Sequence, residues 1–177
     1  MARTSTLAFV DDPLMRWFHP SIDTYHERAP AAWRLMARRA IAMGSAFVTD
    51  DAVALAIFLP PGRPTVDVPP EPDAVPPSEE LLAKYRALGE VMSEHTPPEP
   101  HWYLNVLATH PDWQRQGLGA AVIGPIGEVC RQQGLPMYLE TMTVPNVAYY
   151  THLGFRVRSE WDIPLDGPHM WGMIRGA

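Results

Sequence analysis

The feature that most limits what this chain can fold into is a block of proline. "PPGRPTVDVPPEPDAVPP", residues 60–77, holds eight of them. Each proline fixes φ and removes a backbone donor, so the block can be neither a central strand nor a helix interior. It reads as an extended surface connection. Regular structure must therefore come from the segments on either side of it. With 177 residues, the chain has room for one domain with a real core and is short for two. Residues 1–177 are expected to form that single domain.

Ahead of the block, "AAWRLMARRAIAMG" (residues 31–44) sets Trp33, Met36, Ala40 and Met43 at helical spacing, and Gly44 suits a C-cap. "DDPLMRWFHP" (residues 11–20) reads as a helix end followed by an aromatic loop. "AFVTDDAVALAIFLPP" reads as a hairpin, with strands over 46–49 and 53–59 turning at Asp50 and Asp51. Behind the block, Ser78 is a good N-cap, and Glu79 and Glu80 suit the positive end of a helix dipole. Leu81, Leu82, Tyr85, Leu88 and Met92 give that helix one apolar face. "WYLNVLAT" (residues 102–109) is an apolar run of strand type. Residues 117–133 read as a helix with Leu118, Val122, Ile126, Val129 and Cys130 on one face, a kink at Pro125 and a stop at Gly134. "MYLETMT" is a second strand, "NVAYYTHLGF" a short helix ending at Gly154, and "RVRSEWDI" pairs with "HMWGMIR" across "PLDGP". The order is that of an α/β protein with a mixed sheet.

Composition narrows the partners. Net charge is −6, and no run of Lys or Arg could track a phosphate backbone, so a cationic small molecule is a better expected partner than nucleic acid. No segment reaches the ~18 apolar residues of a membrane span. "MARTSTLAFV" lacks a sustained apolar run and a cleavage site, and the single cysteine, Cys130, allows no internal disulfide. A cytoplasmic protein, monomer or homodimer, is expected. The seven histidines show no H-x-x-x-H spacing, so no metal site is expected. Cys130 falls on an apolar helix face and reads as an inert buried thiol.

The chemistry is concentrated in "HPDWQRQGLGAAVI", residues 110–123. A glycine pair opening a helix offers backbone N–H groups and a dipole to an anion. A P-loop would need Lys-Ser/Thr after the last glycine, where this chain has Ala120 and Ala121. A dinucleotide fingerprint would need a third glycine where Val122 stands. What remains is Gln114-x-x-Gly117-x-Gly119 between a strand and a helix.

Together with the downstream Asn146, Tyr150, Leu153, Gly154 and Phe155, this motif resembles the GNAT superfamily of N-acetyltransferases position by position. From Glu99 to Arg175, "EPHWYL", "PDWQRQGLGAAV", "YLET" and "GPHMWGMIR" are similar to its puromycin N-acetyltransferase-like members. The resemblance implies a mixed, mostly antiparallel twisted sheet flanked by helices. The family's first strand is not seen, so either the sheet lacks it or the chain's true start lies upstream.

The resemblance further implies acetyl-CoA as co-substrate and transfer of its acetyl group to a primary amine of a small molecule by direct attack, with an aminonucleoside-like acceptor in view. The pyrophosphate would rest on the amides of Gln114, Arg115, Gln116, Gly117, Leu118 and Gly119. The pantetheine arm would run beside Leu107, Ala108 and Thr109, with Asn146 contacting it. Tyr150 would protonate the departing thiolate. Glu140 would take the proton of the amine, with Glu99 and His101 as rivals at the mouth of the preceding strand. Many family members carry a carboxylate where this chain has Asn105. Trp17, Glu99 and His101 are the expected acceptor contacts, and Phe18 and Trp102 are further aromatic candidates. The other readings are a non-catalytic acyl-CoA-binding or sensing protein, and an acetyltransferase acting on a protein lysine or N-terminus.

Overall fold

The computed structural model describes residues 1–177. Three helices come first: α1 (Ala2–Ala8), α2 (Pro13–Phe18) and α3 (Ile22–Ala42). The second occupies the segment expected to be a helix end and loop. Asp12 accepts from the Leu14 and Met15 amides, and Pro13 stands at the first position, where no intrahelical donor is needed. The third starts nine residues ahead of the expected Ala31, capped by Ser21. Pro30 lies inside it, which ordinarily costs about 3 kcal/mol. The buried stripe Tyr25, Ala29, Trp33, Ala37 and Ala40 holds the helix through that point. Gly44, at φ +64, ends it as expected.

Strands β1 (Ala46–Val48) and β2 (Ala54–Leu59) form the hairpin. Residues 60–77 follow without helix or strand. This strap is tied to α3: Glu71 accepts from Arg34 and Arg38, and Asp73 from Arg34. Helix α4 (Glu79–His95) is capped by Ser78. Of its expected apolar face only Leu81 is buried, while Leu82 and Tyr85 are exposed. Strand β3 (Trp102–Thr109), helix α5 (Leu118–Gln133), strand β4 (Met137–Thr141), helix α6 (Val144–His152) and strands β5 (Arg156–Asp162) and β6 (His169–Arg175) complete the chain. Helix α5 runs unbroken through Pro125.

The six strands form one sheet in the order β1-β2-β3-β4-β6-β5, with β1 and β5 at its edges. Every pairing is antiparallel except that of β3 with β4. On one face α5 and α6 cover Ala56, Phe58, Leu104, Met137, Leu139 and Met173. On the other, α3 packs Tyr25, Ala29 and Trp33 on Leu55, Ile57, Val106 and Ala108. Cys130 is buried in the first of these layers.

Two features of β3 position the site. Its register against β2 jumps between Ile57↔Val106 and Phe58↔Leu104, leaving Asn105 as an extra, bulged residue. Its pairing with β4 covers only Trp102↔Met137 and Tyr103↔Tyr138. Past Tyr103 the two parallel strands part, and a gap opens in the middle of the sheet.

Candidate active site

The gap is lined from six directions. A cavity of about 320 Å³ is bounded by Phe9, Asp12, Leu14, Met15 and Phe18 from the first two helices and their junction, and by Trp33 and Met36 from α3. Tyr85 and Leu88 of α4, Asn105 and Leu107 of β3, Glu140 and Thr141 of β4, and Asn146 and Tyr150 of α6 close it. Phe9 stacks on Trp33 at 5.1 Å, and Phe18 meets Tyr85 edge-on at 4.8 Å. The walls are therefore mainly apolar and aromatic, with two carboxylates set into them.

Glu140 is the unusual one. Neither of its carboxylate oxygens is accessible and neither has a hydrogen-bond partner. Burial is the main cause that pushes its proton affinity up, from an ordinary value near 4.5 to about 7. The hydroxyls of Tyr103 and Tyr138 and the Arg63 guanidinium oppose that shift. Their pull is electrostatic, since the Tyr138 hydroxyl is itself without a hydrogen-bond partner. A carboxyl group balanced near neutrality exchanges a proton with an amine without a large energy gap either way. Asp12 is also raised by burial, offset by the amides of Met15 and Leu14.

Tyr150 stands opposite on α6, 8% exposed. Burial, then Tyr149 and Asp12, push its phenol well above the usual range, so it keeps its proton. Its neighbour Tyr149 points elsewhere: a methyl group on Gly119 would lie 2.7 Å from the Tyr149 hydroxyl. Successive helical residues diverge by about 100°, so one tyrosine faces the cavity and the other the start of α5.

That start is built for close approach. Gly117 is the N-cap at φ +80, and Arg115 is also left-handed at φ +60. Residues 114–117 are exposed and Leu118 and Gly119 half-buried; the Gln114 amide is spent on the Pro111 carbonyl at 3.4 Å, and the first-turn amides of α5 have no partner within the helix. The Gln114 side chain turns back onto the Thr109 carbonyl at 3.3 Å. Leu107 lines the cavity, whereas Ala108 points into the α3 layer. Because β3 lacks a strand partner on its β4 side past Tyr103, its edge there is free to bond an amide-bearing arm. Asn146 lines the cavity while Thr143 caps α6, so its side chain is not consumed by capping. The parted edge, the exposed amides and the cavity between them fit an acyl-CoA.

The remaining expected contacts lie apart. Trp17 does not line the cavity. Its indole donates to the Leu165 carbonyl at 2.9 Å and packs with Trp161, Ile163 and Met170, leaving Phe18 as the aromatic residue of α2 that faces the gap. Trp102 donates to Gln133 on the far side of the sheet. Glu99 and His101 line a separate cleft with Arg63 and Thr96. There His101 donates from Nδ1 to the Glu99 carbonyl at 2.7 Å, and burial lowers its proton affinity. Sequence reasoning missed Asp12, Tyr85, Tyr103, Tyr138 and Arg63. The only signal for Tyr138 was its place two residues before Glu140, on the same face of a strand. No set of three or more His, Cys, Asp or Glu side chains is placed to hold a metal ion. No helix is long and apolar enough to cross a membrane.

Comparison with known proteins agrees with this architecture. An N-acetyltransferase of Schizosaccharomyces pombe, itself uncharacterised, is 39% identical over 54 residues, which cover 30% of this chain and 22% of that protein. A Corynebacterium glutamicum structure described as histone acetyltransferase HPA2 and related acetyltransferase superposes with a TM-score of 0.67 at 19% identity, covering 99% of this chain and 89% of that one. The Drosophila melanogaster polyamine N-acetyltransferase gives 0.65 at 13% identity over 99% and 95%. At these identities the likeness is one of fold. The sequence model of the acetyltransferase (GNAT) family matches residues 14–155. That match takes in the bulged strand, the glycine turn and both tyrosines of α6, and the chain belongs to the acetyltransferase (GNAT) family.

Proposed function

We propose that this protein transfers an acetyl group from acetyl-CoA to a primary amine of a small molecule. The observation that carries the reading is Glu140: a buried, unpartnered carboxylate on the strand that parts from β3, in the same cavity as Tyr150. The donor would lie with its phosphates on the amides of residues 115–119 and its arm along Leu107 and Asn146. Its chemistry is that of an acetyl thioester.

The chain's own groups do the rest. Asp12, Glu140 and the rings of Phe9, Phe18, Trp33 and Tyr85 attract an ammonium ion and exclude water around it. Glu140 takes one ammonium proton, which frees the nitrogen lone pair for attack. An outward amide on the free edge of β3 near Leu107 steadies the negative oxygen, a contact typically worth about 3 kcal/mol. Tyr150 donates its proton to the departing sulfur and takes back the surplus proton on the nitrogen as the addition intermediate collapses to the amide. Per turnover an ammonium ion and a thioester become an amide, a thiol and one released proton.

An enclosed, aromatic, doubly acidic cavity suits a compact amine better than a polypeptide. The Drosophila neighbour acts on polyamines, and a mosquito neighbour at TM-score 0.52 is an arylalkylamine N-acetyltransferase-like protein. The test is thiol release from acetyl-CoA with a panel of arylalkylamines, polyamines, aminonucleosides and a lysine peptide. Turnover of a small amine supports the reading. Tight CoA binding with no turnover of any amine would favour the binding-protein alternative, and turnover of the peptide alone the protein-modifying one.

A further inference from the structure

A second cavity, about 580 Å³, lies between α3, β2 and the start of the strap. Asn105 and Met36 line both this cavity and the one that holds Glu140. The two side chains touch, Asn105 Nδ2 donating to Met36 Sδ at 3.5 Å, so the cavities meet at one weak contact with a flexible thioether. They also share a face of the sheet. Leu59 of the second cavity pairs with Tyr103, and Tyr103 with Tyr138, and paired residues project to one side. Glu140 lies two residues beyond Tyr138 and projects the same way. Arg63 joins the two ends of this row. It is held at φ +45 behind Gly62 at φ +80, in a sharp turn at the start of the strap. Its guanidinium lies over the Tyr103 ring, 4.3 Å from the centroid, and it lines the second cavity.

The charges in this second cavity differ from those in the first. Arg34 and Arg38 of α3 are both paired with strap carboxylates. Arg39 and Arg63, which line the cavity, have no carboxylate partner. The one polar contact of either side chain is Arg63 Nη2 donating to His101 Nε2 at 3.4 Å. Burial keeps that imidazole neutral, so it offsets none of the arginine's charge. The only acid in the lining is Asp67, exposed on the strap and itself unpaired, so two guanidinium groups face one carboxylate. A guanidinium fork matches the oxygens of a carboxylate or a phosphate. We propose that the second cavity receives the far end of the acceptor, and that this end carries an oxyanion held by Arg39 and Arg63. The acceptor is then a compact zwitterion, with its ammonium between Glu140 and Asp12 and its anion beneath the strap. Asn105 and Met36, at the junction, contact the spacer between the two charges. This rests on the acetyltransferase reading above and names the substrate class for it.

The probes are straight-chain ω-amino acids of rising length, each beside its neutral carboxamide and the aminoalkyl phosphate of the same span. The quantity read is the ratio of kcat/KM between an oxyanion and its neutral partner, which cancels any change common to both. At the length that spans the two cavities the oxyanion is expected to win by about tenfold, the worth of one partly exposed contact to a charged group. The better of carboxylate and phosphate names the oxyanion. Arg39 is exposed on its helix, so Arg39→Glu changes the charge without disturbing the core. It should reverse the preference, so that a diamine of the same length outruns the amino acid. Arg63→Gln should weaken the preference too, and Arg39→Glu carries the test if that variant does not fold. An enzyme that acetylates small amines but prefers an oxyanion at no length, or keeps the preference in Arg39→Glu, overturns the subsite and leaves the acetyltransferase reading intact. An enzyme that acetylates no amine overturns both.

Discussion

At the scale of single residues, the proposed reaction would divide the proton work between Glu140 and Tyr150, and burial suits each to its half. Burial holds the tyrosine protonated and brings the glutamate near neutrality. Tyr150→Phe should lower kcat by 10²–10⁴ and leave acetyl-CoA affinity within a few fold. Tyr149→Phe is the control, because its hydroxyl lies over Gly119; steady-state kinetics on both variants would show whether the roles are reversed. For Glu140 the rate should rise as pH passes through about 7, where the carboxyl ionises, and Glu140→Gln should abolish that limb. The same residue makes a stability prediction of opposite sense. Its folded value, about 7, exceeds the ordinary 4.5, so the unfolded chain gives up its proton first as pH rises. Stability contributed by the protonated carboxyl is whole below 4.5 and lost as pH rises through about 7. The loss is at most about 3 kcal/mol. Glu140→Gln should therefore melt higher than the parent in alkaline buffer, with the gain vanishing toward acid pH. Equal melting curves throughout would place the carboxylate in water.

At the scale of elements, the glycine turn and α5 were legible because their signals are local. A strand-type run, two glycines and an amphipathic helix follow one another without long-range help. Gly119→Val tests the turn. Its branched side chain would meet the Tyr149 hydroxyl and crowd the exposed amides, so CoA affinity should drop at least about tenfold, or ~1.4 kcal/mol, with the fold retained. Calorimetric titration giving parental affinity would move the phosphates elsewhere. Other elements were less legible. Asp12-Pro13 lies in a segment that reads as a helix end and loop, and is a helix start, since both residues serve at either end. Pro30 hid the front of α3, whose stripe of small and aromatic residues is sealed only by packing on β2 and β3. Trp17 and Phe18 are adjacent on a six-residue helix, and spacing alone does not say which meets the gap. The bulge at Asn105 has no sequence mark, yet it falls just past the point where β3 and β4 part. The unpartnered state of Glu140 depends on residues from three other strands, which no local pattern brings together.

At the scale of the molecule, ligand and fold should be coupled. Acetyl-CoA at 100 times its dissociation constant should add ~2.7 kcal/mol, which for a chain of this size is a melting shift of about 5–10 °C. A scanning series with no rise would remove the donor site. The sheet says where such a shift would originate. Three strands on one side and three on the other meet through two residue pairs, Trp102 with Met137 and Tyr103 with Tyr138. Mechanically these are two leaves joined by a short stitch and by the α5–α6 layer that spans both. A pantetheine arm bonded to the free edge of β3 would act on this six-stranded sheet as one more strand, only without side chains. Amide exchange at residues 105–109 would then slow on binding, and the two leaves would open and close as one body.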